Sequence, residues 1–242
     1  MKTEIFLSVV IPAYNEEDRL LPTLEKSIAY LGTQQYHSEI IVVSDGSRDE
    51  TARVIDRFKA PSNVILRSYE YHPNRGKGYA VRYGMLRCEG EIRMFMDADY
   101  AVAMESVEQA WPLFRQGYHV VIASRGLTGA RITTRQNFLR QLSARIYTAI
   151  QNVYLGISYP DTQCGFKLYR KEAARWLFER QRLNSVIFDA ELLWLAHKAR
   201  FRVGQFPVRW THVENSRIQY DSISKSIFIF QELFRIKGLH RR

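Results

Sequence analysis

Glu91 to Tyr100, EIRMFMDADY, is the stretch on which the reading of the fold turns. It begins as a largely apolar run of strand length and stops abruptly on Asp97, Ala98 and Asp99. Side chains in a strand alternate between faces, so Asp97 and Asp99 share a face if the strand persists, and a turn after Met96 also brings them together. Either geometry concentrates negative charge where a strand meets solvent. A divalent cation relieves that repulsion, and carboxylate oxygens suit Mg2+ or Mn2+. Taken alone, three residues fit a solvated turn equally well, so the neighbouring segments decide.

Upstream, the same unit recurs. Ile5 to Ile11 (IFLSVVI) has the continuous apolar character of a strand covered on both faces, with Pro12 expected to stop it. A polar loop, Ala13 to Glu17, leads into Leu20, Leu21, Leu24, Ile28 and Leu31 at helical spacing, closed by Gly32. Glu39 to Ser44 is the next strand, and Asp45 to Thr51 (DGSRDET) opens a helix with Ser47 and Glu50 at capping-box spacing. A third strand, Asn63 to Ser68, precedes Asn74 to Gly78 (NRGKG) at another helix start. There, free N–H groups and the helix dipole suit a phosphate, with Arg75 and Lys77 adding charge; an ordinary Gly-rich turn is the alternative. The pattern is neither GxGxxG after the first strand nor GxxxxGK[ST]. Alternating strands and helices predict an open, doubly wound, mostly parallel α/β sheet with its ligands beyond the carboxyl ends of the strands, the edge at which all of these loops lie.

The length of 242 residues with 46% hydrophobic content, and the lack of any linker-like tract, predict one large domain. Two distant cysteines, Cys88 and Cys164, exclude a disulfide framework and fit a reducing compartment. MKTEIFLSVVIP reads as a strand rather than a signal peptide, and no uncharged run approaches the roughly 20 apolar residues that span a bilayer. Residues 1–124 carry a net charge of −3 and residues 125–242 a net charge of +13. The second half therefore suits an anionic partner. A nucleic acid is disfavoured, because that half has no recognition motif and its aromatic residues fall at core-like spacing.

In the second half, Tyr118 to Ala123 and Phe201 to Val208 read as strands. Phe138, Leu142, Ile146, Ile150 and Val153 form an apolar stripe accompanied by Arg131, Arg135, Arg140 and Arg145. Asp161 to Lys167 (DTQCGFK) precedes a short strand, and Phe188 to Glu191 (FDAE) begins a helix. The tail, from Ser222, spaces Ile223, Ile227, Phe230 and Phe234 as one helical stripe, widened by Phe228, Leu233, Ile236 and Leu239 amid basic residues. Its composition suits a membrane interface, and docking on the core is the plainer reading. The expected division is a body of residues 1–220 and a basic amphipathic helix over 221–242.

These segments together, SVVIPAYNEE (Ser8 to Glu17), DGSRDET, NRGKG, DAD, Ser124-Arg125, DTQCGFK and FDAE, resemble the family 2 glycosyltransferases of the GT-A fold. Within them, DTQCGFK and FDAE are similar to the dolichyl-phosphate or polyprenyl-phosphate β-glucosyltransferase group. The resemblance implies that Pro12, Tyr14, Glu16 and Asp45 hold the uracil and ribose of a UDP-sugar, UDP-glucose being favoured, with Gly76 and Lys77 lining the same pocket. It implies that Asp97 faces the ribose or sugar and that Asp99, with Asp97, binds Mg2+ or Mn2+. Asp161, Asp189 and Glu191 would orient the sugar or the basic cluster. A lipid phosphate acceptor is already anionic and needs no strong base; Arg125, Arg131, Arg135, Arg140, Lys167 and Arg217 are the candidate cations for it. Were the acceptor a hydroxyl, Asp189 or Glu191 would be the candidate base. Related synthases often carry membrane spans, so this chain is expected to work as a peripheral protein on the cytoplasmic face of an anionic membrane. Two departures stand out: Ser44 precedes Asp45 where many relatives have a second Asp, and Ala101 stands where mannosyl relatives often have Gln, which counts against a GDP-mannose donor.

Overall fold

The computed structural model describes residues 4–133, 138–211 and 223–241; of residues 138–142 and 223–226 it describes the backbone only. In chain order the elements are β1 (Ile5–Ala13), α1 (Glu17–Gly32), β2 (His37–Asp45), β3 (Val64–Tyr71), α2 (Lys77–Met85), β4 (Ile92–Met96), α3 (Trp111–Arg115) and β5 (Val120–Ser124). There follow β6 (Arg131–Ile132), α4 (Phe138–Leu155), β7 (Phe166–Arg170), α5 (Lys171–Arg180), α6 (Phe188–Lys198), β8 (Val203–Pro207), β9 (Arg209–Trp210) and α7 (Ile223–Leu239). Seven strands form one sheet in the order β3-β2-β1-β4-β7-β5-β8, and β6 pairs with β9 in a small second sheet. All pairs in the large sheet are parallel except those of β7, which runs antiparallel to both β4 and β5.

Alternation along the strands divides the core. Leu7, Val9 and Ile11 of β1 and Met94 and Met96 of β4 pack on one side with Leu20, Leu24 and Leu31 of α1. Val10 and Phe95 face the other side, against Val81 of α2, Leu177 of α5 and Leu192 of α6. Burial on both faces is why these strands are nearly continuous in apolar residues. Strand order reverses at β1, whose neighbours are β2 on one side and β4 on the other. Loops leaving β1 and β4 therefore diverge and leave a crevice at their carboxyl ends.

Two local expectations are corrected. Pro12 does not end β1, because it pairs with Val43 and the strand runs on to Ala13. Beyond Val10, β4 no longer pairs with β1, so this end has an edge-like setting that tolerates a residue without an N–H. The segment after β2 is a 3-10 helix, Glu50–Arg57, capped by Asp49, whose side chain accepts from Thr51 N. Ser47 instead accepts from Asn15 N at 3.1 Å, tying the loop after β2 to the loop after β1. The stripe on α4, which spacing alone leaves open between core packing and membrane contact, is turned outward at Ile146, Ile150 and Val153, whereas Gln151 and Leu155 are buried.

At the opposite edge of the sheet, Glu39 fixes the register of the strands. It is fully buried, accepts from Ser8 Oγ at 2.6 Å and Glu89 N at 2.7 Å, and pairs with Arg67 at 3.1 Å. One carboxylate thus joins β1, β2, β3 and the turn before β4. Glu39→Ala strands a hydroxyl, an amide and a guanidinium, and is expected to cost on the order of 3 kcal/mol in urea unfolding. Glu39→Gln, which keeps an acceptor for Ser8, is expected to cost clearly less.

Candidate active site

The strand ends at Met96, and Asp97 and Asp99 lie in the turn that follows, both half-buried. Asp97 N donates to Gly165 O at 3.1 Å, so this turn is fastened to the end of the DTQCGFK loop. The approach is close enough that a Cβ on Gly165 would fall 2.1 Å from Asp97 Oδ2. Asp97 Oδ1 also lies 2.6 Å from Lys77 Nζ, at the start of α2. Asp99 Oδ1 accepts from Ala101 N at 3.1 Å, and Thr23 of α1 supports the turn from below by donating to Ala98 O at 2.7 Å. Burial and the neighbouring Asp97 together push the Asp99 carboxyl above the usual carboxylate range.

Two neighbouring carboxylates are hard oxygen donors of the kind that fit a divalent cation. Among the described residues, no cluster of three or more His, Cys, Asp or Glu side chains is placed to hold a metal. A cation held by the DAD turn would take its remaining ligands from phosphate oxygens and water.

Asp45 organises the next loop. It is 3% exposed, and its carboxylate accepts from Arg75 N at 2.8 Å, Gly76 N at 2.9 Å and Asn74 Nδ2 at 3.0 Å. The amides that the sequence offered to a phosphate are thus taken by Asp45, and the NRGKG loop contributes Lys77 instead. Gly76 has φ +96, and a Cβ there would meet Asn184 O at 2.5 Å; Gly78 is equally confined, and its N–H donates to Asn184 O at 2.8 Å. The loop after β1 is laced to the loop after β2 as well. Glu16 N donates to Thr51 Oγ1 at 2.8 Å, and Arg48 N donates to Asn15 Oδ1 at 2.8 Å. Glu16 pairs with Arg19 at 2.6 Å, Tyr14 is exposed beside it, and Pro12 lies at the end of β1.

Behind Asp97 stands a second ion pair. Lys167 Nζ is 2.6 Å from Asp189 Oδ1 and 2.6 Å from Cys164 O, and the two side chains are 1% and 2% exposed. Burial raises the Asp189 carboxyl, with the Lys167 and Lys77 ammonium groups opposing it. Arg125, after β5, grips Asp161 with Nε at 2.7 Å and a terminal nitrogen at 2.9 Å and lies over the Trp210 ring. Burial works against the Asp161 charge, but the bidentate guanidinium outweighs it and holds that carboxyl below its usual range.

The structure therefore brings together Asp45, Lys77, Asp97, Asp99, Asp161, Arg125, Lys167 and Asp189 along one edge. Two expectations are corrected. Lys167 is 1% exposed and turned inward onto Asp189 and Cys164 O, so it is not accessible to an acceptor phosphate. Glu191 is fully buried and spends its oxygens on Arg182 N and Leu183 N at 2.8 and 2.9 Å and on His240 Nε2 at 2.7 Å, which makes it a support rather than a base. Arg131 is exposed on β6, Arg135 and Arg217 lie outside the described residues, and Arg140 is described by its backbone alone. Sequence reading missed Gly165 and Asn184, and for Gly165 the one signal is a glycine inside the DTQCGFK run.

A doubly wound sheet with acidic and basic groups ringing its carboxyl edge is an α/β architecture that takes its ligands at that edge. The sequence profile of Glycosyl transferase family 2 matches residues 8–178. A dolichyl-phosphate beta-glucosyltransferase of Drosophila melanogaster is 37% identical over 226 residues, 88% of this chain and 69% of that protein. The Saccharomyces cerevisiae dolichyl-phosphate beta-glucosyltransferase is 32% identical over 261 residues, 98% of this chain and 77% of that protein. Among solved structures, glucosyl-3-phosphoglycerate synthase of Mycobacterium tuberculosis in complex with Mn2+, UDP and glucosyl-3-phosphoglycerate superposes with a TM-score of 0.68 at 21% identity, over 97% of this chain and 80% of that one. The chain belongs to glycosyltransferase family 2, and its relatives there include the dolichyl-phosphate beta-glucosyltransferases.

Gly165→Ala drives a methyl group into the Asp97 carboxylate while leaving β7 and its pairing intact. Transfer is expected to fall by about 100-fold or more, the scale of an ångström-level misplacement, with the far-ultraviolet circular dichroism unchanged.

Proposed function

We propose that this chain moves glucose from UDP-glucose to the phosphate of a dolichyl or other polyprenyl phosphate, with inversion, at the cytoplasmic face of a membrane. The observation that carries this reading is the juxtaposition of Asp97, Asp99 and Lys77 at the carboxyl edge, in a chain with these relatives. Asp97 and Asp99 would hold Mg2+ or Mn2+, the metal present with UDP-glucose in a fold neighbour, glucosyl-3-phosphoglycerate synthase. When bound, such a cation supplies Lewis-acid neutralisation of the departing diphosphate. Lys77 adds a positive charge from the other side of the turn, and Pro12, Tyr14, Glu16 and the Asp45-anchored loop line the uridine end.

The acceptor side supports a phosphate over a hydroxyl. A hydroxyl acceptor needs a base within hydrogen-bond reach, and the two carboxylates considered for that role, Asp189 and Glu191, are buried with partners already in place. A phosphate monoester is its own nucleophile and needs cations instead; Arg125, preoriented by Asp161, and exposed Arg131 are available to it. In the decisive assay, labelled glucose passes from UDP-glucose to a short polyprenyl phosphate with Mn2+, and not from GDP-mannose. Asp99→Ala or chelation by EDTA is expected to reduce the rate by 100-fold or more, about the loss of one electrostatic clamp. Transfer only to hydroxyl acceptors would overturn the acceptor assignment.

Membrane contact has a candidate surface. On α4, Ile146, Ile150 and Val153 are uncovered, and on the adjacent α7, Ile227, Phe228 and Phe234 are each about half exposed. The two helices touch through Tyr154, whose hydroxyl donates to Phe234 O at 2.8 Å, and Lys237 lies over the Tyr154 ring. No helix among the described residues is long and apolar enough to cross a membrane. Apolar insertion plus attraction of a +13 half to anionic lipid suits peripheral binding. Phe228→Glu with Phe234→Glu is expected to weaken co-sedimentation with phosphatidylserine-containing vesicles on the order of 10-fold. Undiminished sedimentation would remove this surface from the proposal.

A further inference from the structure

The segment between α5 and α6, residues 181–187, has no regular structure of its own, yet its polar groups are engaged from two sides. From α6, Glu191 accepts from Arg182 N and Leu183 N. From α2 and its cap, Gly78 N donates to Asn184 O, Gln181 Nε2 donates to Gly78 O at 2.8 Å and Leu183 O at 2.7 Å, and Arg82 donates to Gln181 O at 2.9 Å. From the C-terminal helix, Ser185 Oγ donates to Glu232 Oε2 at 2.9 Å, and His240 meets Glu191. Glu232 is 5% exposed, although it stands on a helix whose other face is open to solvent.

Lys77 sits between the two glycines that rest on this segment. Neither Gly76 nor Gly78 has room for a Cβ against Asn184, Leu183 and Ser185, so the loop carrying Lys77 rides directly on the backbone of a segment whose Ser185 side chain is held by α7. We infer that α7 sets the position of Lys77 against Asp97, with Glu232 and His240 acting as positioning residues for the donor site. The contacts run from Glu232 to Ser185, and from His240 through Glu191 to Arg182 and Leu183, then along this segment to Gly76 and Gly78, and so to Lys77. Loss of Glu232 frees Ser185. Loss of His240 leaves Glu191, a fully buried carboxylate, with the two amides of Arg182 and Leu183 as its remaining partners.

This inference rests on the proposed role of Lys77 and Asp97 in holding the donor. Its test therefore pairs kinetics with a measurement that involves no nucleotide. In the full chain, Glu232→Ala and His240→Ala are expected to raise KM for UDP-glucose about 3- to 10-fold, with kcat and the acceptor KM within about 2-fold of the parent. Glu232→Gln retains an oxygen for Ser185 Oγ and is expected to restore the parent KM. Hydrogen exchange of peptides spanning residues 76–86 is expected to quicken about 3- to 10-fold in Glu232→Ala without nucleotide, and to recover in Glu232→Gln. Unchanged exchange there overturns the clamp whatever the donor proves to be. Faster exchange with no UDP-glucose use by the parent sustains the clamp and overturns the donor reading alone.

Discussion

An ammonium group buried among apolar side chains is tolerable only when its partners are already in place, and Lys167 meets that condition with Asp189 and the Cys164 carbonyl, both at 2.6 Å. The pair joins three parts that sequence keeps apart: β7, the first turn of α6 and the loop ahead of β7. Because β7 runs antiparallel between β4 and β5, its beginning lies beside the end of β4. Gly165 therefore arrives at Asp97, and the reacting edge is built from both halves of the chain. Replacing either member of the pair leaves an uncompensated charge in the core, which is a steep structural cost.

Along that edge, charges alternate. Lys77 faces Asp97, Lys167 faces Asp189, and Arg125 faces Asp161, while Asp99 accepts from Ala101 N and is, like Asp189, pushed above the usual carboxylate range. A cation at Asp99, as proposed above, would relieve the cost of that charge and would in turn attract a diphosphate. Arg125 illustrates the other half of this logic, because a guanidinium fixed by a bidentate carboxylate has lost its rotamer freedom before any phosphate arrives.

The fold was legible because strands buried on both faces are written as continuous apolar runs, and because each loop at the carboxyl edge carries polar residues that the core cannot use. Asp97, Asp99, Asp45 and Asp161 could be singled out for that reason. What could not be read was which partner each polar group takes. Asp45 consumes the amides that NRGKG offers, Lys167 turns inward, and Glu191 caps a loop, since all three outcomes depend on contacts between segments about 20 or more residues apart or on burial that spacing does not encode. Gly165 shows the same limit from the other side, for a missing Cβ matters only once β7 has been placed next to β4.

The two apolar stripes were ambiguous for a physical reason as well. On α4 the stripe that spacing picked out is turned outward, while Tyr147, Gln151 and Leu155 face the body. On α7 the apolar residues exceed one face: Leu233 and Ile236 are fully buried, and Ile227, Phe228 and Phe234 are not. Periodicity reports that a helix is amphipathic, but a helix with two apolar faces and one polar grip gives no single moment to read. The grip is Glu232, which lies beside buried Leu233 and reaches Ser185. A helix that offers apolar residues to its surroundings on one side and holds the support of Lys77 on the other joins the place where a lipid acceptor would be met to the place where its donor would be bound.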